Sequence, residues 1–263
     1  SIRQAARELG MTRSTVHKVL RRRLQFHAYK LQILQEIKPD DRPKRESFGI
    51  DMLNRIDDDD EHFLSHVLFS DEATFNLSGK VNRHNVRIWG SQNPHVIQEH
   101  VRGSPKIHVW CGLLHNDIIG PFFFIENTVT GNSYLDMLVN FAVPQVEHLQ
   151  PTIIFQQDGA PPHWSRNVRD YLNETFPNRW IGRDGPIPWP PRSPDITPLD
   201  FFFWGYVKDQ VYSTRVDSIE HLKERIRNAI RSVTVDMLHS TWREIEFRLD
   251  ILRATRGAHV EVQ

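Results

Sequence analysis

In 263 residues there is a single cysteine, Cys111. That excludes an intrachain disulfide and any zinc site built on several thiolates, and it fits a reducing compartment. Net charge is missing too: 33 Lys and Arg balance 33 Asp and Glu, so the bulk charge points to no class of partner. No apolar run approaches the roughly 20 residues of a membrane span, and no signal-peptide pattern opens the chain. The 14 histidines show no paired ligand spacing; His62 and His66 stand four apart, but the segment turns strand-like at Val67. What is present is a 39% hydrophobic, 10% aromatic chain, enough for the core of one large domain or of one domain with a small appendage.

The charge is unevenly spread. Residues 1–30 carry eight Arg and Lys against the single acid Glu8, the asymmetry of a module that meets nucleic acid. Ile2, Ala5, Ala6 and Leu9 share one helical face, Gly10 breaks the helix, and Thr12 can cap a second one with Val16, Val19 and Leu20 inward. This pattern, with Arg13, Ser14, His17 and Arg21 on the polar side, matches a DNA-binding helix-turn-helix. In that reading residues 12–22 enter the major groove and Arg21, Arg22 and Arg23 meet phosphates. An ordinary helical hairpin with a solvated basic face is the plainer alternative. The chain starts at Ser1 inside a helical pattern, as an N-terminally truncated copy would.

Lys38–Glu46, KPDDRPKRE, has two prolines and alternating charge, which predicts an exposed joint before a helix carrying Phe48, Met52 and Ile56. The run Asp57–Asp60 reads as a solvated boundary. Strand-like runs follow: Val67–Phe69 ending at Ser70-Asp71-Glu72, a second short strand over Ala73–Leu77, and a hairpin of 106–114 with 118–125. Residues 80–105 are polar and irregular, as an insertion would be. The unbroken Phe122–Phe124 predicts a strand covered on both faces. A helix is predicted over Asn132–Leu149, bent or started at Pro144, then a buried strand Ile153–Gln157 and a helix Ser165–Phe176. In the proline-rich 177–198, Ile181 or Ile187 can supply a last strand. Thr197-Pro198-Leu199-Asp200 has the order of a capped helix start, and two amphipathic helices close the chain.

Three carboxylates then stand out. Asp158, in QQDGAPPH at 156–163, sits where an apolar strand gives way to a turn; alone it reads equally as a turn aspartate or a catalytic one. Asp71 ends another strand run. Asp200 lies in the first turn of a helix, where an acid is stabilising without any chemical role. Acids gathered at one point repel unless cations neutralise them. Carboxylates without a Cys/His set suit Mg²⁺ or Mn²⁺, and a pair of such ions serves in-line displacement at phosphorus.

FSDE at 69–72, QQDGAPPH at 156–163 and PPRSPDITPLDFFFWG at 190–205 resemble, in this order, the three motifs of the mariner/Tc group of DNA transposases. The resemblance covers nearly all of the chain. It implies an α/β, RNase H-like mixed sheet flanked by helices over 61–263, a linker at 38–60, and at 1–37 part of a paired helix-turn-helix DNA-binding region. It also implies a DDE/DDD triad of Asp71, Asp158 and Asp200, with Asp195 only a turn residue. The implied reaction is metal-dependent hydrolysis at transposon ends followed by strand transfer into target DNA, by a homodimer with two Mg²⁺ or Mn²⁺ ions, in the nucleus. A DNA-binding relic or host-adopted protein that no longer cuts is the alternative. Two features depart from the common pattern: the third acid is Asp, and the 42 positions from Asp158 to Asp200 leave room for extra loop in the proline-rich stretch.

Overall fold

Ten consecutive residues, Val67–Asn76, form strand β1, the axis of the sheet. They are a single strand and not the two short ones expected, because β2 (Lys106–Leu113) pairs antiparallel with the whole stretch from Phe69 to Asn76. β3 (Ile118–Phe124) completes the expected hairpin. On the other side β1 pairs parallel with β4 (Ile154–Gln156), followed by β5 (Trp180–Gly182) and β6 (Ile187–Pro188). Ile181 and Ile187 therefore each contribute a strand. The resulting order is β3-β2-β1-β4-β5-β6. This computed structural model describes residues 5–7, 9–24, 36–58, 62–78 and 104–260. The irregular insertion expected over 80–105 lies almost wholly outside them.

Both faces of the sheet are covered. Helix α2 (Asp41–Asp58) supplies Phe48 and Met52 to one core, with Val207 of α6 (Trp204–Val211), Leu222 of α7 (Ile219–Arg231) and Trp242 of α8 (Val235–Ala254). The opposite core takes Tyr134 of α3 (Gly131–Met137), Val146 of α4 (Val143–Val146) and Leu172 of α5 (Arg166–Thr175). Alternation along β1 sends Phe69 and Phe75 to the first core and Leu68 to the second, as a pleated strand buried on both faces requires. Each such side chain contributes on the order of 1.5–3 kcal/mol by leaving water. The expected helix 132–149 is segmented: a π-helical turn at Leu138–Ala142 and a 3-10 turn at Glu147–Leu149 flank α4, whose first turn holds Pro144. Thr130 and Ser133 form a reciprocal capping box at its start.

Lys38–Glu46, expected to be an exposed joint, enters α2 at Asp41; Arg42 and Lys44 are exposed there, but Arg45 is fully buried. The guanidinium donates six hydrogen bonds: to Gly257 O, Arg192 O, Ser193 Oγ, both carboxylate oxygens of Asp195, and Ala258 O. Asp41 pairs with Arg192. Two of the charges that made the segment look solvated, Asp41 and Arg45, are taken up by partners about 150 positions later.

The chain divides into two units, residues 1–34 with 80–103 and residues 35–79 with 104–263. In the first unit, α1 (Arg13–Lys18) continues into a π-helical turn Val19–Arg23. Thr12 caps α1 through the Thr15 N–H, and Gly10 turns the chain at φ +62°. Val16 is buried, while Arg13, Ser14, His17, Arg21, Arg22 and Arg23 are all exposed. Among the described residues, no helix is long and apolar enough to cross a membrane.

Candidate active site

Parallel pairing of β1 with β4 sets Phe69 opposite Gln156. Asp71 and Asp158 each follow two residues later, so one register carries both carboxylates past the end of β4 together. Asp71 is thus within its own strand, not at its end; what stops there is the parallel neighbour. The two motifs are stitched at this point. The Ser70 hydroxyl donates to Gln156 O at 2.7 Å, and the Ser70 N–H to Gln156 Oε1. Gln157 donates to His163 O at 3.0 Å, closing the DGAPPH turn. Both glutamines are buried, so the paired Gln fixes the loop and leaves Asp158 to face outward.

Asp200 arrives from the opposite side. The expected Thr197 cap is not formed; its hydroxyl donates back to Ser193 O, and its carbonyl accepts from the Asp200 and Phe201 N–H groups. Asp200 lies in a π-helical turn, Leu199–Phe203, leading into α6. Such turns recur at functional sites because the extra residue re-aims side chains. Asp195, assigned to a turn, is in fact half of the buried Arg45 pair at 2.6 Å, and it also accepts from the Val260 N–H.

Asp71, Glu72, Asp158 and Asp200 line one cleft of about 1420 Å³. Their charges act on one another. Burial, then the charges of Asp200, Glu72 and Asp158, hold the Asp71 carboxyl well above the usual carboxylate range, against an opposing hydrogen bond from Trp204. Although Asp200 opens onto the cleft, the protein around it restricts its hydration; this, then the Asp158 charge, raises its pKa to about 7, with Lys208 pulling the other way. For Asp158 burial also opposes ionisation, but His163 and the Ala160 N–H outweigh it and lower its pKa.

His163, the last residue of QQDGAPPH, joins the acids. It is 2% exposed, and its Nδ1 lies 2.6 Å from Asp158 Oδ1 while Nε2 lies 3.1 Å from Glu72. Burial disfavours the charged ring, yet Glu72 and Asp158 outweigh it and raise its pKa well above the ordinary value. Tyr134 packs on the ring at 4.2 Å. Three further residues were missed. Glu72 faces the side of β1 opposite Asp71. Trp204, one of four aromatics that read as core, donates its indole N–H to Asp71 Oδ2 at 2.8 Å. Lys208 stands near Asp200 and Asp71 and is kept below the usual lysine pKa, chiefly by burial. Their positions, four and eight residues after Asp200 on the same helical face, were the available signal for Trp204 and Lys208.

The donor chemistry suits a hard divalent cation: carboxylate oxygens whose mutual repulsion a cation would relieve. Among the described residues no group of three or more His, Cys, Asp or Glu side chains is drawn together so as to hold a metal ion. The acids instead stand around an open cleft, which leaves coordination positions for substrate phosphate oxygens, the manner in which Mg²⁺ is usually held.

No protein-family model matches the chain. It is 27% identical over 196 residues to the Tc3 transposase of Caenorhabditis elegans, covering 73% of this chain and 57% of that protein. It is 24% identical over 183 residues to the Tc1 transposase of the same organism, covering 68% and 63%. The chain thus spans less than two thirds of the length of either curated relative. It shares its fold with the mariner Mos1 paired-end complex solved with Mg, at a TM-score of 0.73 and 20% identity over 99% of this chain and 75% of that one. In sequence the chain is thus similar to the Tc3 and Tc1 transposases, and in fold to the mariner Mos1 transposase.

Proposed function

We propose that the chain is a DNA transposase that hydrolyses phosphodiester bonds at transposon ends and joins the freed 3′-hydroxyl to target DNA. The observation that carries this reading is the meeting of Asp71, Asp158 and Asp200 in one open cleft, where burial and then neighbouring acids raise the pKa of Asp71 and Asp200. The three acids are the metal-binding and catalytic set, with Mg²⁺ or Mn²⁺ as the cation and two ions as the number. Bound there, the cations supply charge neutralisation at phosphorus and activation of the attacking oxygen. The chain's own residues do the rest. Asp158 is oriented by His163 and the Ala160 N–H, and Asp71 by Trp204. The attacking water gives up a proton as its oxygen bonds to phosphorus, and the 3′-oxygen of the element's end leaves as a hydroxyl; in the second step that 3′-hydroxyl gives up its proton and bonds to a target phosphorus, and the target strand's own 3′-oxygen leaves and takes up a proton.

Residues 1–37 act as a DNA-binding segment. Arg13, Ser14 and His17 face the bases, and Arg21, Arg22 and Arg23 the phosphates, since all six are exposed around a capped helix. Double-stranded DNA, as terminal inverted repeats and as target, is the partner, and a nuclear homodimer holding two ends is the working form. The relative solved as a paired-end complex with Mg supports both the metal and the pairing. Retention of all three acids in an accessible cleft argues against the non-cutting relic.

The test is nicking of a duplex carrying the cognate terminal repeats in Mg²⁺ or Mn²⁺. Cleavage is expected to require the metal and to vanish in Asp158→Asn. Cleavage that survives this substitution, or DNA binding with no cleavage in either metal, rejects the catalytic reading.

A further inference from the structure

The cleft is acidic, yet a nucleic acid brings phosphates into it. Four described basic residues line it: Lys44, Arg55, Arg183 and Arg192. Arg55 is paired with Asp51 and Arg192 with Asp41. Lys44 is exposed on the surface of α2. Arg183 differs from all three. It follows β5 in the proline-rich insertion, and its guanidinium lies over the Trp164 ring at 4.1 Å. Among the described residues it makes no hydrogen bond or ion pair.

The stack is itself held. The Trp164 indole N–H donates to Asp184 Oδ2 at 2.6 Å, so the acid next to Arg183 is committed to the ring. Asp184 takes a left-handed backbone, φ +58°, in a turn closed by Gly185 N–H to Gly182 O. Both glycines rest on the Trp180 ring, where a Cβ would come within 2.7 Å. Arg183's stem runs beside Gly159, the residue after Asp158: a Cβ at Gly159 would meet Arg183 Cβ and Cδ at 3.5 Å. The guanidinium is therefore held by its face, with its N–H edge open to solvent and without a partner among the described residues, next to the turn that presents Asp158. A stacked guanidinium loses little further freedom on binding, and its fork of donors matches phosphate oxygens.

We propose that Arg183 is a DNA-phosphate clamp on the strand lying in the acid-lined cleft, and that Trp164 is the positioning residue that holds it there. This rests on the DNA-cleaving reading above and adds a binding residue that the three motifs do not contain.

The test is fluorescence anisotropy of the end-DNA duplex across a salt series, without divalent metal, for the wild type, Arg183→Gln, Trp164→Ala, the double variant, and Arg227→Gln. Arg227 is also stacked on an aromatic, Phe123 at 4.9 Å, but lies away from the cleft. Arg183→Gln is expected to weaken binding roughly tenfold, one charge-assisted contact, and to reduce the salt slope by about 0.9. Trp164→Ala should weaken binding less, and the double variant should bind no worse than Arg183→Gln, because the two act as one unit. Arg227→Gln should match the wild type. An unchanged affinity and slope in Arg183→Gln, or additive losses in the double variant, overturns the assignment. The parallel nicking assay separates the two ideas: a wild type that cuts while Arg183→Gln binds normally sinks the clamp alone, and a wild type that binds but never cuts sinks the catalytic reading.

Discussion

Asp158 and Asp200 reach the same cleft by opposite means. Asp158 is placed by backbone: the parallel register of β1 and β4, a turn closed by Gln157, and a histidine five residues on. Asp200 is placed by a strut. Its loop, from Arg192 to Thr197, hangs on the guanidinium of Arg45, which comes from a helix about 150 positions earlier. The first arrangement is local and redundant, since several hydrogen bonds each hold the same turn. The second hangs the loop by four bonds on one buried cation. The two sides of the site should therefore fail differently.

The largest effect is expected on the strut. Arg45→Met keeps the volume but leaves the buried Asp195 without its guanidinium partner, with the His259 ring 4.0 Å away. Breaking a buried pair from one side costs about 3–5 kcal/mol, and denaturant unfolding should register that loss. Adding Asp195→Asn should recover part of it, because the uncompensated charge is then gone. Full stability in Arg45→Met would show that the loop is held by its apolar contacts instead.

The same contrast explains what could be read in the chain beforehand. The DGAPPH turn was legible because its determinants lie within eight residues and one neighbouring strand. Thr12, Gly10 and the exposed basic residues were legible for the same reason. The α2 segment was misjudged because KPDDRPKRE is solvated by every local criterion, and only the fold supplies Asp195 and Arg192 to its charges. Trp204 and Lys208 were hidden by their setting in an aromatic run whose obvious use is core packing. Arg183 was concealed differently: as added loop length it looked neutral, and its stack on Trp164 requires the return of the chain after β5.

The middle effect belongs to the local side. His163→Asn removes the ring that bridges Asp158 and Glu72 while the Gln157 bond still closes the turn. The outcome expected is a folded protein with a misoriented Asp158. Outer partners of metal-binding carboxylates are worth about 10–100-fold in affinity or activity. Nicking measured against Mg²⁺ concentration should show a higher metal requirement with a smaller change at saturation. An unchanged metal requirement would mean that the backbone alone aims Asp158, sharpening the contrast with Asp200 further.

The smallest effect is the one that compares the two acids directly, through the pH dependence of stability in metal-free protein. An unfolded Asp titrates near 3.9, whereas Asp200 in the fold titrates at about 7 and Asp71 is raised as well. Between those values the folded chain keeps protons that the unfolded chain has released. Stability therefore falls as pH rises from about 4 to about 7. Asp158 has the opposite sign: its lowered pKa contributes stability above the unfolded value, lost only as pH drops below about 4 through its folded pKa, outside this window. The raised pKa of His163 adds a loss of the same sign as Asp200, but only above the unfolded histidine value of about 6.5. Thermal unfolding in chelator should thus decline by a few degrees from pH 4.5 to 6.5, modestly because the Asp200 carboxylate opens onto screening solvent. Asp200→Asn should flatten that decline most, and Asp158→Asn less, since it removes only one of the charges that raise Asp200 and Asp71. Equal flattening by both would mean that the acids titrate as one group, and that the strut and the register hold a single charge between them.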